Sequence, residues 1–135
     1  MKRWMLDTNI VSLLVRGNAV VLQNVTSKPM TSLCISAVTA GELSYGLARR
    51  PEATQLRRAV EEFLLRVDVL PWETLVANRY GDLRANMEAK GKSLSALDMQ
   101  IAAHAVESEL TLVTNDQAFG HVQGLQLEDW LKKPV

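Results

Sequence analysis

Apolar positions come in short, dense blocks separated by longer stretches of helical spacing. Arg3-Trp4-Met5-Leu6-Asp7 is a short apolar run that predicts a buried strand. Residues 8–15 then take helical spacing up to Gly17, a C-terminal helix stop. A second helix is expected over about 18–27, halted by Lys28-Pro29. Leu33-Cys34-Ile35-Ser36 reads as a second strand, with Ser36 capping a helix that runs to about Arg50 before Pro51. An amphipathic helix over 52–66 leads to a third strand at 67–70, closed by Pro71. A long helix over about 72–89 stops at Gly91, and Ser95 opens another that carries Asp98 to about Glu109. Residues 110–114 form the clearest buried strand, and 124–127 a last short one.

Short apolar strands alternating with helices predict parallel pairing through right-handed crossovers, with the sheet covered on both faces. The expected fold class is therefore a three-layer α/β/α domain with a central, mostly parallel sheet. At 135 residues with 47% hydrophobic and 22% charged residues, the chain suits a single domain over 1–135 with a real core. No apolar run approaches the ~20 residues of a membrane span, and no signal peptide is visible. One cysteine, Cys34, cannot form an internal disulfide, so a cytoplasmic location is expected. One Cys and two His argue against a zinc site built on such ligands. Net charge is zero, which excludes a uniformly basic nucleic-acid coat. The first 70 residues nevertheless hold nine Lys/Arg against six Asp/Glu, and the remainder holds six against nine.

Open α/β sheets bind ligands outside the carboxyl ends of their strands. Four acids fall there: Asp7 at the end of the first strand, Glu42 two turns into the helix after the second, Asp98 in the first turn of a late helix, and Asp116 just past the 110–114 strand. Pooled carboxylates repel one another, and a hard divalent cation relieves that repulsion. Mg2+ suits such oxygen ligands, with Mn2+ as a substitute. The matching chemistry is phosphodiester hydrolysis by metal-activated water. Each acid also fits a structural role. Asp7 can cap the helix at Thr8, Asp98 completes a capping box with Ser95, and Asp116 can stabilise a helix start. Glu42 is the hardest to explain structurally, because Val38, Leu43 and Leu47 put it on a largely buried helix.

In order, the sequence carries Met5-Leu6-Asp7-Thr8-Asn9, then Ile35-Ser36-Ala37-Val38-Thr39-Ala40-Gly41-Glu42-Leu43 followed by Tyr45-Gly46. Leu97-Asp98-Met99-Gln100-Ile101-Ala102-Ala103-His104-Ala105 comes next, and Leu112-Val113-Thr114-Asn115-Asp116 with Phe119 closes the series. These four motifs, with Asp129-Trp130 beyond them, resemble the PIN-domain family, specifically the VapC toxins of bacterial type II toxin–antitoxin modules. Relatives often carry Pro shortly before the third acid, where this chain has Ser95-Ala96-Leu97. The resemblance implies a Mg2+-dependent endoribonuclease leaving a 5′-phosphate and a 3′-hydroxyl. Asp7 and Asp98 match direct metal ligands. Glu42 and Asp116 match acids that act through water, Thr114 a hydroxyl in the water network, and Asn9 a polar residue that orients ligands. The implied substrate is tRNA, with initiator tRNA cut in its anticodon stem-loop for enteric relatives. The implied partners are a VapB-type antitoxin, operator DNA only through that antitoxin, and a second copy in a homodimer. The antitoxin would lie over the apolar helices at 8–15 and 37–48.

Arg49 and Arg50, at the end of the Glu42 helix, and Lys90 and Lys92, before the Asp98 helix, are candidate RNA-phosphate contacts; a solvated helix end or loop explains them equally. His104, about 600° of helical rotation from Asp98, is read as structural, and His121 as a surface residue. Cys34, Trp4 and Trp72 are read as packing residues. With 5% aromatic residues, a base-stacking sheet is not supported. Two other classes compete. One is a catalytically silent domain of the same family that binds RNA or protein, which the intact acid set opposes. The other is a receiver- or dehalogenase-type phosphoryl-transfer domain. That class needs a second Asp beside the first and a late Lys, whereas Asp7 is followed by Thr8-Asn9.

Overall fold

The computed structural model describes residues 2–133. Its five strands are β1 (Trp4–Leu6), β2 (Leu33–Ser36), β3 (Asp68–Leu70), β4 (Thr111–Val113) and β5 (Gln126–Glu128). They form one sheet in the order β3-β2-β1-β4-β5, with every neighbouring pair parallel. Six helices connect them: α1 (Thr8–Val15), α2 (Ala19–Thr26), α3 (Ala37–Arg49), α4 (Thr54–Arg66), α5 (Thr74–Ala89) and α6 (Ala96–Glu107). No described helix is long and apolar enough to cross a membrane.

Alternation along the strands builds two cores. Leu6, Ile35 and Val113 face α1–α4, where Ile10, Val21, Leu43 and Phe63 close over them. Met5, Cys34 and Leu112 face α5 and α6, against Met87, Met99 and Ile101. Burying both faces explains why β1, β2 and β4 read as unbroken apolar runs. The result is the expected three-layer α/β/α domain.

Helix starts follow their caps. Asn18 accepts the Val20 and Val21 amides, Ser36 accepts Val38 N–H, and Ser95 accepts Asp98 N–H. Differences from the expected boundaries have local causes. The 52–66 helix begins only at Thr54, because Pro51 and Glu52 form a turn. Helix α5 begins at Thr74 rather than 72, leaving Trp72 in extended chain, edge-on to His104 at 5.7 Å. Strand β5 starts two residues late because Gly124, at φ +80°, is still turning. Strand β3 is exposed at Asp68 and Val69: it is the sheet edge and pairs only with β2. Two 3-10 turns, Met30–Ser32 and Gln117–His121, were not foreseen.

Candidate active site

The strand order reverses at β1. The chain builds outward from β1 to β2 and β3, then returns to lay β4 on the other side of β1. That switch opens a crevice at the carboxyl ends of β1 and β4, the position where such sheets bind ligands. Register fixes what stands there. Leu6 pairs with Val113, and Asp7 N–H donates to the Val113 carbonyl at 3.0 Å, so Asp7 and Thr114 emerge side by side.

Asp7 is 5% exposed. One of its oxygens, Oδ1, accepts Ile10 N–H at 2.8 Å and caps α1, so the structural role foreseen for it is filled. Burial is the main force raising its carboxyl to about pKa 6, and the charges of Asp98 and Asp116 add to that rise. The Thr114 hydroxyl and the Ile10 amide oppose it. Asp98, half-buried in the first turn of α6, is also raised, chiefly by burial and secondarily by Asp116, while the Ser95 hydroxyl counters. Asp116 is exposed. Its Oδ1 accepts Ala118 N–H at 2.9 Å, and its own N–H donates to Thr114 Oγ1 at 3.1 Å. Thr114 thus touches two acids. Asn9 Nδ2 donates to Asn115 Oδ1 at 2.8 Å, tying α1 to the loop that carries Asp116.

Glu42 stands somewhat apart. It is half-buried on α3, and its Oε1 accepts the Thr8 hydroxyl at 2.6 Å. The Thr39 hydroxyl lies 3.2 Å from Thr8 Oγ1. Thr8 is therefore the hinge between Asp7, its chain neighbour, and Glu42, a role that no sequence feature marked beyond its place in the first motif. Asp7, Asp98 and Asp116 lie within range of one another's charge. Among the described residues, however, no three acidic, histidine or cysteine side chains approach closely enough to share one metal ion.

Arg49 and Arg50 line the same cleft between α1, α3 and α4 as Thr8 and Glu42. Arg49 also lies 5.2 Å from the Tyr45 ring. A broader apolar cleft continues from Glu42 past Val38, Tyr45 and Leu97. The groove expected between the helices at 8–15 and 37–48 is there. Lys90 donates to the His121 carbonyl at 2.8 Å, and Lys92 lines a separate cleft with Arg84 and Met99. His104 is 2% exposed, its Nδ1 is 2.8 Å from Ser36 Oγ, and burial holds its pKa below the usual value. His121 is exposed and Cys34 is fully buried. Trp4 packs on Trp130 at 5.8 Å.

The PIN-domain model matches residues 4–125, a span that holds Asp7, Glu42, Asp98 and Asp116. The chain belongs to the PIN-domain family. Among its PIN-domain relatives, the tRNA(fMet)-specific endonuclease VapC of Shigella flexneri is 33% identical over 131 residues, covering 96% of this chain and 99% of the relative. Ribonuclease VapC2 of Haemophilus influenzae is 30% identical over 132 residues, covering 97% and 100%. Among solved structures, DNA-bound VapBC from Salmonella typhimurium superposes with a TM-score of 0.89 at 31% identity, over 96% of this chain and 99% of that one. VapBC2 from Rickettsia felis, bound to a promoter DNA fragment, gives 0.88 at 30% identity over 94% and 98%. Near-complete coverage on both sides means that this PIN domain matches those proteins over essentially their full length.

Proposed function

We propose that this chain is a Mg2+-dependent endoribonuclease toxin of a type II toxin–antitoxin module. It would act on tRNA, with initiator tRNA cut in the anticodon stem-loop as the leading candidate. One observation carries the reading: Asp7, buried at the β1–β4 switch, has no basic partner among the described residues and shares its crevice with the charges of Asp98 and Asp116. Burying a carboxylate among like charges is costly, and the cost is reasonable where a cation is to be held. The names of the curated relatives, ribonucleases and tRNA(fMet)-specific endonucleases, support the substrate class.

The donor set is all oxygen, which fits Mg2+ or Mn2+ better than softer metals. Asp7 and Asp98 are assigned as direct ligands, with Glu42 and Asp116 acting through water. Bound there, the cation would offset the pooled negative charge, acidify a water and stabilise the charge that develops on the phosphodiester. The chain's own contributions can be stated by residue. Thr114 fixes the spacing of Asp7 and Asp116, Thr8 aims Glu42, and Asn9 steadies the Asp116 loop. Arg49 and Arg50 flank the Glu42 cleft and would take phosphates beside the cut, leaving a 5′-phosphate and a 3′-hydroxyl. Lys90 is engaged with the His121 carbonyl, so it and Lys92 would contribute only at the periphery.

The groove between α1 and α3, with its continuation past Tyr45 and Leu97, would receive a VapB-type antitoxin segment, whose basic residue would face the acids. Operator DNA would be reached through that antitoxin, a reading that the likeness to DNA-bound VapBC supports, and the toxin would pair as a homodimer in the cytoplasm. The looseness of the acid group favours a second reading, a silent RNA- or protein-binding domain. Sequencing RNA ends after brief induction without antitoxin separates the two. Discrete new 5′ ends in initiator tRNA, absent with Asp7→Ala and suppressed in vitro by chelator, are expected. Equal growth arrest by wild type and Asp7→Ala overturns the nuclease reading.

A further inference from the structure

We propose that Lys132 is an RNA-positioning residue of this site, delivered to it by a clasp from Asn24. The proposal rests on the ribonuclease reading above and adds a contact outside the segment that matches the family model, which ends at residue 125. Beyond β4 a cleft opens beside the acids, lined by Thr114, Asn115, Asp116 and Gln117 on one side and by Glu128, Asp129 and Lys132 on the other. It therefore shares Thr114 and Asp116 with the crevice where cleavage is placed, on the side away from Arg49 and Arg50.

A lysine in an exposed, irregular stretch ordinarily samples solvent. This one is tied down. Asn24, 4% exposed on α2, donates from Nδ2 to the Trp130 carbonyl at 3.0 Å and to the Lys132 carbonyl at 2.9 Å. Trp130 itself is 3% exposed within the core. The Leu131 amide donates to Asp129 Oδ1 at 2.9 Å, closing a local turn between the two anchored carbonyls. The backbone on both sides of the Lys132 side chain is thus fixed from a buried position 108 residues away.

Its charge is also uncommitted. Of the neighbouring acids, Glu128 takes Lys2 and the Trp130 indole, and Asp129 takes the Leu131 amide. Among the described residues Lys132 makes no ion pair. An anchored, unpaired ammonium next to Asp116 suits a phosphodiester oxygen of a strand crossing the acids, with the Asn115 and Gln117 side-chain amides as further donors. Arg49 and Arg50 would hold the strand on the α3 side and Lys132 on the β5 side.

The test uses an RNA hairpin carrying the initiator anticodon stem-loop, bound by the full chain bearing Asp7→Asn to prevent cleavage. Lys132→Ala is expected to weaken binding about fivefold at 0.1 M salt and to lower the slope of log affinity against log salt by roughly 0.7–0.9, one phosphate contact. Lys132→Arg should restore both. In the cleaving protein the same Lys132→Ala change should raise KM with kcat within about twofold. Asn24→Ala should reproduce the loss, and adding Lys132→Ala to it should change little more. An unchanged salt slope in Lys132→Ala, with the parent binding RNA normally, overturns the proposal and leaves the nuclease reading intact. If Asn24→Ala does not fold, the Lys132 pair alone decides. A parent chain that neither binds nor cuts RNA overturns the reading and the proposal together.

Discussion

Asp7 and Glu128 stand almost in the same row of the sheet and titrate in opposite directions. Glu128 is in register with Val113, Val113 with Leu6, and Asp7 follows Leu6. Burial pushes both carboxyls upward. At Glu128 the Lys2 ammonium and the Trp130 indole outweigh it and hold the group below its usual value. At Asp7 no cation among the described residues answers, and Asp98 and Asp116 add their repulsion, so the carboxyl rises to about 6. Burial alone therefore does not separate a structural acid from a functional one. The absence of a counter-charge among the described residues sets Asp7 apart and makes the crevice between β1 and β4 the candidate site.

Asp7→Asn breaks the contrast most severely. Asn keeps the Oδ1 that accepts Ile10 N–H, so the α1 cap survives, while the charge and the proposed metal ligand are lost. A fall in RNA cleavage of at least about a thousandfold is expected, the several kcal/mol that a bound cation supplies. Stability should move the other way. With the folded carboxyl near 6 and the ordinary value at 3.8, the folded chain holds a proton between those pH values that the unfolded chain has released. The site's contribution is full below the ordinary value and is lost as pH rises through 6. In chelator at pH 7.5 the cost is about 2–3 kcal/mol, and Asp7→Asn should recover about 2 kcal/mol of it. Urea denaturation at pH 7.5 and pH 4.5 checks this: the gain should be full at the first and cut to roughly a third at the second.

Thr114→Val sharpens the same contrast, because the Thr114 hydroxyl restrains Asp7 and receives Asp116 N–H. Its removal should raise Asp7 further, shift the rising limb of the pH–cleavage profile upward, and cost about tenfold in kcat/KM at pH 7. An unmoved limb would mean that another group restrains Asp7. Thr8→Val acts one step further out. Loss of the 2.6 Å bond to Glu42 should cost about fivefold in kcat, near the 1 kcal/mol of one hydrogen bond. RNA affinity should hold, since among the described residues the Thr8 hydroxyl bonds only Glu42 and Thr39.

Much of this was legible in the chain because it is encoded locally. Each buried strand is an apolar run, and the first is followed directly by an acid and the fourth, a few residues on, by Asp116, so strand ends and candidate ligands came from one pattern. The illegible parts are long-range. Val69 reads as apolar as Ile35, and only the strand order makes one an exposed edge and the other core. Asn24 looks like a surface amide on a helix, yet it is buried and grips carbonyls more than 100 residues away. The hook of Thr8 on Glu42 depends on how α1 meets α3, which no periodicity specifies. Spacing likewise located the four acids without fixing how tightly they gather.

The smallest test acts on the paired member of the comparison. Lys2→Met removes the cation that faces Glu128 but leaves the Trp130 indole bond at 3.1 Å. Lys2 is 55% exposed, so the pair is worth under ~1 kcal/mol and weakens with salt. The sign follows from the lowered carboxyl: its stabilisation is present above the ordinary value of 4.5 and is lost as pH falls through the folded one. Lys2→Met should therefore cost a few tenths of a kcal/mol at pH 7 and almost nothing at pH 3. An NMR titration should find the Glu128 carboxyl moved upward, toward the behaviour of Asp7. RNA cleavage should change little, because Glu128 lines the Lys132 side of the cleft but is not among the acids proposed to hold the cation. If Glu128 does not move, the indole rather than Lys2 holds it down, and the contrast with Asp7 becomes one of hydrogen bonding rather than of counter-charge.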